Sequence, residues 1–541
     1  MTEAYSYLPA ASTDADDGTE RRHPETTARG EVVGVGAAHA TLRLAPGCTA
    51  ESLGAIGSLL KIASPAGSVL ARIRTIGRHG EEIRLETDFL GEAKSGPGEE
   101  RVVLSRGLGS YPVPGAAADA LDEAEIMELF ARPERSSLKC GTIHPYSVPA
   151  FVDVDNLLSK HFAVLGSTGT GKSSAVALTI HRLVETLPDG HILILDPHNE
   201  YATAFSDIGV HFDPTTLSLP YWLMNLEEHI EIFIGPRVAM REVEVDILKR
   251  SLLAARKKSS GGRSGRVTVD TPVPYKLSDL LAELDTQMGR LEKPEKHLPF
   301  LRLKHKIEEL RADERYGFMF SGMLIHDSFA EIVSRMLRMP TDGKPVSTLD
   351  LSGVPSDIVD VVVSLLCRMV FDFAMWSRKG EGARPLLLVC EEAHRYVPRE
   401  RSTRFDSARR VLERIAKEGR KYGVSLGLVS QRPSDVSESV LSQCGTILAM
   451  RMNNERDARF VANALPEGSD AFMDSISALE NRECVICGEG VAMPMRVKLD
   501  FLEEHLRPSS ADPAFVETWR SGGQSPAFVK SVIDRWRAGE R

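Results

Sequence analysis

The stretch from Gly166 to Ser173 places glycines, a lysine and a hydroxyl at the spacing G-x-x-x-x-G-K-S. Glycine tolerates positive φ, so successive N–H groups of Gly166, Ser167, Thr168, Gly169, Thr170 and Gly171 can turn inward around an anion. At this spacing Lys172 reaches the β- and γ-phosphates of a nucleoside triphosphate and the Ser173 hydroxyl holds Mg²⁺, with Ser174 completing the phosphate-binding run. An apolar run, Phe162 to Leu165, precedes the loop. Val176, Ile180, Leu183, Val184 and Leu187 follow it at helical spacing. The loop therefore joins a buried strand to the positive end of a helix dipole, the order phosphate binding requires.

A phosphate loop alone hydrolyses nothing. "PLLLVCEEAHRYVP" supplies paired acids, Glu391 and Glu392, directly after a buried strand. Such a pair is costly unless a cation neutralises it. Glu391 fits the role of metal ligand, and Glu392 that of the group that orients and polarises attacking water. Gln431 ends the run "SLGLVSQ", where it either senses the γ-phosphate or is a plain strand-end amide. Asp196 and His198 end "LILDPH" and face the same edge, because ligands bind at the carboxyl ends of such strands. In "RVLERIAKEGRKYG", Arg410, Arg414, Lys417 and Lys421 form one basic stripe, and Arg420 sits at the helix end before Gly423. The stripe is either solvated, tied by Glu413 and Glu418, or presents an arginine to the γ-phosphate of a neighbouring subunit.

The elements that must position these groups follow from pattern. Residues 1–29 are polar and turn-rich and read as a disordered tail. Short alternating runs over 30–115 predict a small β-barrel, and a connecting helix is expected within 116–136. From 137 to 505, "FAVLG", "HILILD", "VSTLDL", "LLLVCE", "SLGLVSQ" and "TILAMRM" read as buried parallel strands separated by helices. That is an α/β, doubly wound layout. About 150 residues between the second and third of these runs are too many for a loop, so a helical subdomain is expected over roughly 225–335. "ECVICGEG" and "MPMRVKLDFL" read as a strand pair, and 506–541 as a tail with one short helix.

The 541 residues suit two to four domains. At 42% hydrophobic, 26% charged and net charge −10, the composition leaves nucleic-acid contact to a local basic surface. The longest apolar stretch, "DIVDVVVSLLCRMVFDFAMW", carries Asp357, Asp360, Arg368 and Asp372, which argues for a buried helix over a membrane span. The polar start argues against a signal peptide. Seven scattered cysteines fit a reducing cytoplasm. Cys484 and Cys487 form a lone C-x-x-C, read as small apolar strand residues in preference to half a zinc site.

Taken together, "HFAVLGSTGTGKSS", "LILDPHNEY", "EEAHRYVP", "EGRKYGVSLGLVSQRPSDVSESVLSQC" and "RMNNERD" resemble the HerA family, from about residue 30 to 505. The resemblance implies a RecA-like P-loop ATPase core of the HerA/FtsK group with an N-terminal HAS-type barrel and a helical insertion. It implies ATP and Mg²⁺ as cofactors, and a homohexamer that moves double-stranded DNA through its channel. It also implies Lys172 and Ser173 at the phosphates, Glu391 and Glu392 at metal and water, and an arginine finger near "EGRKYG": Arg420 first, Arg414 second. Partners implied are a NurA-type nuclease or, in antiviral systems, an effector such as a sirtuin-like NADase, docked on the barrel. A scaffold that activates such an effector, with DNA movement secondary, is the rival; a secretion ATPase would need a membrane anchor that the sequence does not display. Two basic loops suit sequence-independent phosphate contact: Lys257, Lys258, Arg263 and Arg266, and the arginines Arg395, Arg399, Arg401, Arg404, Arg409 and Arg410. Either set could equally be a solvated loop.

Overall fold

The computed structural model describes residues 29–538 apart from 96–101, 106, 134, 236–240, 261–265, 292–293, 323, 379–381, 383, 401–405, 465–474, 510–514 and 521–524. The tail expected at 1–29 lies outside these residues, Arg29 excepted.

The chain divides into two compact units. The smaller is an antiparallel barrel: β1 (Gly30–Val35), β2 (His39–Leu44), β3 (Leu59–Ser64), β4 (Gly67–His79), β5 (Glu82–Ser95) and β7 (Ala117–Ala120), with β6 (Val102–Ser105) added outside β5. Strand order is β2-β1-β7-β3-β4-β5, and β5 pairs back on β2, closing the ring. Alternation explains it: Val32, Leu42, Ile62 and Leu85 point inward and are at most 1% exposed, while their neighbours face out. Closure leaves the six strands no open edge. The barrel runs past the expected limit of 115, because β7 supplies the pairing between β1 and β3. The connecting helix is correspondingly short, Glu123–Leu129, started by a capping box between Asp122 and Glu125.

The larger unit is built on an eleven-stranded sheet: β8 (Ser137–Ile143), β9 (Val148–Asp153), β10 (Phe162–Leu165), β11 (Ile192–Asp196), β12 (Gly209–Phe212), β13 (Val346–Asp350), β14 (Leu386–Cys390), β15 (Val424–Ser430), β16 (Thr446–Met450), β17 (Glu483–Gly488) and β18 (Met495–Leu499). The order is β12-β13-β11-β14-β15-β10-β16-β17-β18-β8-β9. From β12 to β16 neighbours are parallel; beyond β16 they are antiparallel. The parallel strands are covered on both faces, which is why they read as continuous apolar runs. β8, β9 and β12 were not legible in that way: β8 and β9 form a hairpin added at the sheet edge, and β12 is only four residues long.

Helices Leu226–Phe233, Glu242–Ser259, Leu277–Gly289 and Leu298–Ala312 fill the long insertion. Their buried Leu248, Leu280 and Ile307 share one continuous core with Leu349 and Leu388 of the sheet and Val362 of a helix. The apolar helix Val359–Ser377 lies inside that core, and among the described residues no helix is long and apolar enough to cross a membrane. Cys484 and Cys487 are both buried in β17, three residues apart and so on opposite faces of the strand. Two helices, Phe515–Arg520 and Pro526–Ala538, occupy the C-terminal stretch where one was expected.

Candidate active site

β10 lies between β15 and β16, and β14 is one strand beyond β15. Parallel register brings their carboxyl ends, and that of β11, to a single edge. The loop after β10 stands there. Gly169 (φ +76°) and Gly171 (φ +100°) take left-handed backbone that side chains disfavour, and Gly171 caps the helix Lys172–Thr186. Thr170 Oγ1 donates to Ser167 O at 2.8 Å, and Ser167 N donates to Arg451 O at 2.9 Å, so the loop is pinned from within and from β16. Lys172 is buried and donates to Ser167 O at 3.0 Å. Burial lowers its pKa, opposed by the charges of Glu391, Glu392 and Glu200, which all face it.

The acids after β14 are held differently from one another. Glu391 is buried and accepts a hydrogen bond from Tyr201 Oη at 2.8 Å. Burial, helped by the charges of Glu200, Glu392 and Asp196 and resisted by the tyrosine bond, pushes its carboxyl up to about 8. Glu392 has left-handed backbone, φ +52°, a strained state for a residue with a side chain and one that recurs at functional sites. Its carboxylate lies 3.1 Å from His394 Nδ1. Burial pushes the Glu392 carboxyl up, but the bond and charge of His394, with Lys172 and His198, outweigh it and hold the group below its usual value. One glutamate thus favours its protonated form and the other its ionised form.

Gln431 connects the two halves. Its Nε2 donates to Glu392 Oε1 at 2.5 Å, and its Oε1 accepts from Thr168 Oγ1 of the loop. Ser173 Oγ donates to Glu200 Oε2 at 2.6 Å. Spacing in the sequence assigns no role to Glu200 or Tyr201. The available signal was an acid four residues past Asp196, at the edge where ligands bind. Asp196 itself is buried and bonds local backbone, accepting from His198 N (3.2 Å) and Tyr201 N (2.9 Å). It shapes the turn that carries Glu200. His198 is exposed on that turn, and Ser174 is half-buried on the first turn of the helix.

Arg414 and Arg420 are not among these groups. They belong to the helix Asp406–Tyr422. Arg420 lines a cavity with Ile192, Leu386 and Val424, the first residues of β11, β14 and β15, at the opposite edge of the sheet. Arg414 is 3.5 Å from Glu418 and 4.5 Å from the Phe371 ring centre.

Among the basic loops, Lys258 pairs with Asp279, Arg409 with Glu413 and Arg410 with Glu227. Lys257 and Arg266 are exposed, Arg395 is exposed in the turn after Glu392, and Arg399 stacks on Phe460. Arg263, Arg401 and Arg404 lie outside the described residues.

A phosphate loop and paired acids at the carboxyl edge of a parallel sheet define a P-loop ATPase. Residues 138–370 match the family described as helicase HerA, central domain. The DNA double-strand break repair helicase HerA of Sulfolobus acidocaldarius is 28% identical over 432 residues, 79% of this chain and 80% of its own. The protein of the same name from Pyrococcus furiosus is 28% identical over 430 residues, 72% of each chain. Among solved structures, VirB4 of Thermoanaerobacter pseudethanolicus aligns over 69% of this chain and 99% of its own, with 18% identity and a TM-score of 0.48. The chain is thus a P-loop ATPase whose residues 138–370 match the helicase HerA central domain.

Proposed function

We propose that this ATPase hydrolyses ATP with Mg²⁺ and drives double-stranded DNA through a homohexameric ring. The observation that carries the reading is the run Thr168–Gln431–Glu392, which ties the phosphate loop to the carboxylate placed to polarise water. The donor set suits a hard divalent cation: the Ser173 hydroxyl and the carboxylates of Glu391 and Glu200 offer oxygen ligands, and Glu391 is a buried acid. When bound there, Mg²⁺ would neutralise charge on the β- and γ-phosphates. Lys172 supplies a second positive charge to the same phosphates. Glu392, held ionised, accepts the proton of the attacking water. Gln431 bridges loop and base, so departure of the γ-phosphate would be felt at the end of β15.

The position of Arg420 fits a ring. It lies across the sheet from its own phosphate loop, so only a neighbouring subunit's nucleotide is within its reach. We assign it the trans-acting role, ahead of Arg414. The relatives' names, DNA double-strand break repair helicase, support duplex DNA as the track. The exposed Lys257, Arg266 and Arg395 are basic side chains of the kind that meet phosphates without reading sequence. A NurA-like nuclease or a sirtuin-like NADase docked on the barrel, in a cytoplasmic setting, completes the proposal; both rest on the family resemblance. The test is ATP turnover by the purified chain with and without linear duplex DNA, alongside its sedimentation mass. Stimulation of several-fold by a six-chain assembly is expected. A monomer whose turnover ignores DNA would overturn the reading.

A further inference from the structure

A phosphate loop grips phosphates, and the base of a nucleotide must rest on something beyond it. On the side of β10 away from the acids the sheet continues through β16, β17 and β18. β17 is antiparallel to β16, with Met450 opposite Cys484, so Arg482, just before β17, stands at the phosphate edge. β18 runs back against β17, with Lys498 opposite Glu483, so the chain leaving β18 through Phe501 returns to that edge.

Arg482 touches the loop. Its N–H donates to Thr170 O at 3.0 Å, and its Cγ lies 3.5 Å from where a Cβ on Gly171 would be. Its backbone is left-handed, φ +65°, a strained conformation of the kind seen again at Glu392. The guanidinium groups of Arg482 and Arg507 lie 4.4 and 3.7 Å from the ring centre of Phe501. Arg507 is pinned by its Nε bond to Leu502 O at 2.7 Å. Phe501 nevertheless remains 63% exposed, so the stack of flat groups is fixed in place yet open to solvent. Two residues past Arg507, Ser509 N donates to Glu200 O at 3.0 Å, which brings the same segment to the turn beside Ser173. The segment therefore borders the site from Gly171 round to Glu200.

We propose that Phe501, stacked with Arg482 and Arg507, is the seat of the nucleobase. This rests on the phosphate-loop reading above. A purine offers the flat π-face that such a platform takes, and the guanidinium groups add cation–π attraction. Binding of two probes to the full-length chain separates this proposal from the one it rests on: Mg-ADP, which has a base, and Mg-tripolyphosphate, which has none. Phe501→Ala is expected to weaken ADP binding on the order of tenfold, leave tripolyphosphate within about twofold, and be rescued by Phe501→Trp. Arg482→Ala is expected to act in the same direction. ADP affinity unchanged in Phe501→Ala, or equal loss of both probes without rescue by tryptophan, would overturn the proposal while leaving the phosphate loop standing. Tripolyphosphate binding that survives Lys172→Ala would overturn the phosphate-loop reading, and this proposal with it.

Discussion

Glu228 and Glu391 are both buried carboxylates of the larger unit, 0% and 3% exposed, yet the protein treats them in opposite ways. Glu228 accepts from Asn225 N (2.9 Å), Ser364 Oγ (3.0 Å), Arg368 Nε (3.0 Å) and Arg368 Nη2 (2.9 Å). A carboxylate has about four lone-pair sites, so its capacity is met. The groups around it are engaged as well. Arg256 donates to the carbonyls of Trp222, Met224 and Thr271. His229 bonds Asn225 O and Tyr275 Oη, and burial, with Arg256 nearby, lowers its pKa to about 3, so it is neutral. This network joins the insertion helix Leu226–Phe233 to the core helix Val359–Ser377. Glu391, among the described residues, receives one side-chain bond, from Tyr201, and faces other acids. Burial of charge is neutralised internally in the first region; in the second, burial and the neighbouring acids favour the protonated carboxyl. The difference separates a structural ion pair from a binding site more surely than burial does.

Single substitutions test this contrast. The largest effects belong to turnover. Glu392→Gln should bind ATP and lower steady-state hydrolysis by about 10²- to 10⁴-fold, without loss of thermal stability. Arg420→Ala should lower it by about 10³-fold or more. Mixing the two inactive variants should restore part of the activity, because some subunit boundaries then pair an intact Glu392 with an intact Arg420. No recovery on mixing, or full turnover in Arg420→Ala alone, would remove the trans-acting assignment.

Next comes stability. Arg368→Met leaves Glu228 buried without its partner and should cost about 3–5 kcal/mol in denaturant unfolding. Adding Glu228→Leu should recover much of that, since neither charge then remains. A single variant as stable as the parent would mean the pair is not the staple inferred here.

The pH response is smaller and opposite in kind. With its pKa raised to about 8 by burial, Glu391 holds a proton in the folded state that the unfolded chain has already lost above its ordinary value near 4.5. Stability of the nucleotide-free chain should therefore fall as pH rises from the ordinary carboxyl range through 8, and Glu391→Gln should flatten that slope. Binding of Mg-ADP at pH 7 should release a proton, read by calorimetry in buffers of different ionisation enthalpy. Heat independent of buffer would contradict the assignment. The smallest effect is expected at Arg414, half-exposed and paired with Glu418 on one helix face. Arg414→Ala should change stability by less than about 0.5 kcal/mol and leave turnover intact.

How much of this was legible follows from how local each signal is. The loop from Gly166 to Ser174, the acids after β14 and the main parallel strands are contiguous runs whose spacing carries their meaning. The turn at Glu200 and Tyr201 lies within the run "LILDPHNEY", yet its bonds to Ser173 and Glu391 link positions 27 and 190 residues apart. Asp196, placed at the site by its strand end, serves the turn instead of facing outward. The antiparallel strands β8 and β9 carry no such signal, because a hairpin at a sheet edge does not have the continuous apolar run of a central strand.

Residue type and spacing alone determined that this chain has a phosphate cradle, a pair of acids and an α/β sheet, because backbone φ preference, side-chain chemistry and burial period are local properties. Only the tertiary structure decided which of two adjacent glutamates is protonated, that Gln431 spans Thr168 and Glu392, that Arg420 stands across the sheet from its own loop, and that Phe501 returns beside Arg482. Those outcomes depend on distances and dielectric surroundings set by strand order, which no single stretch of sequence contains.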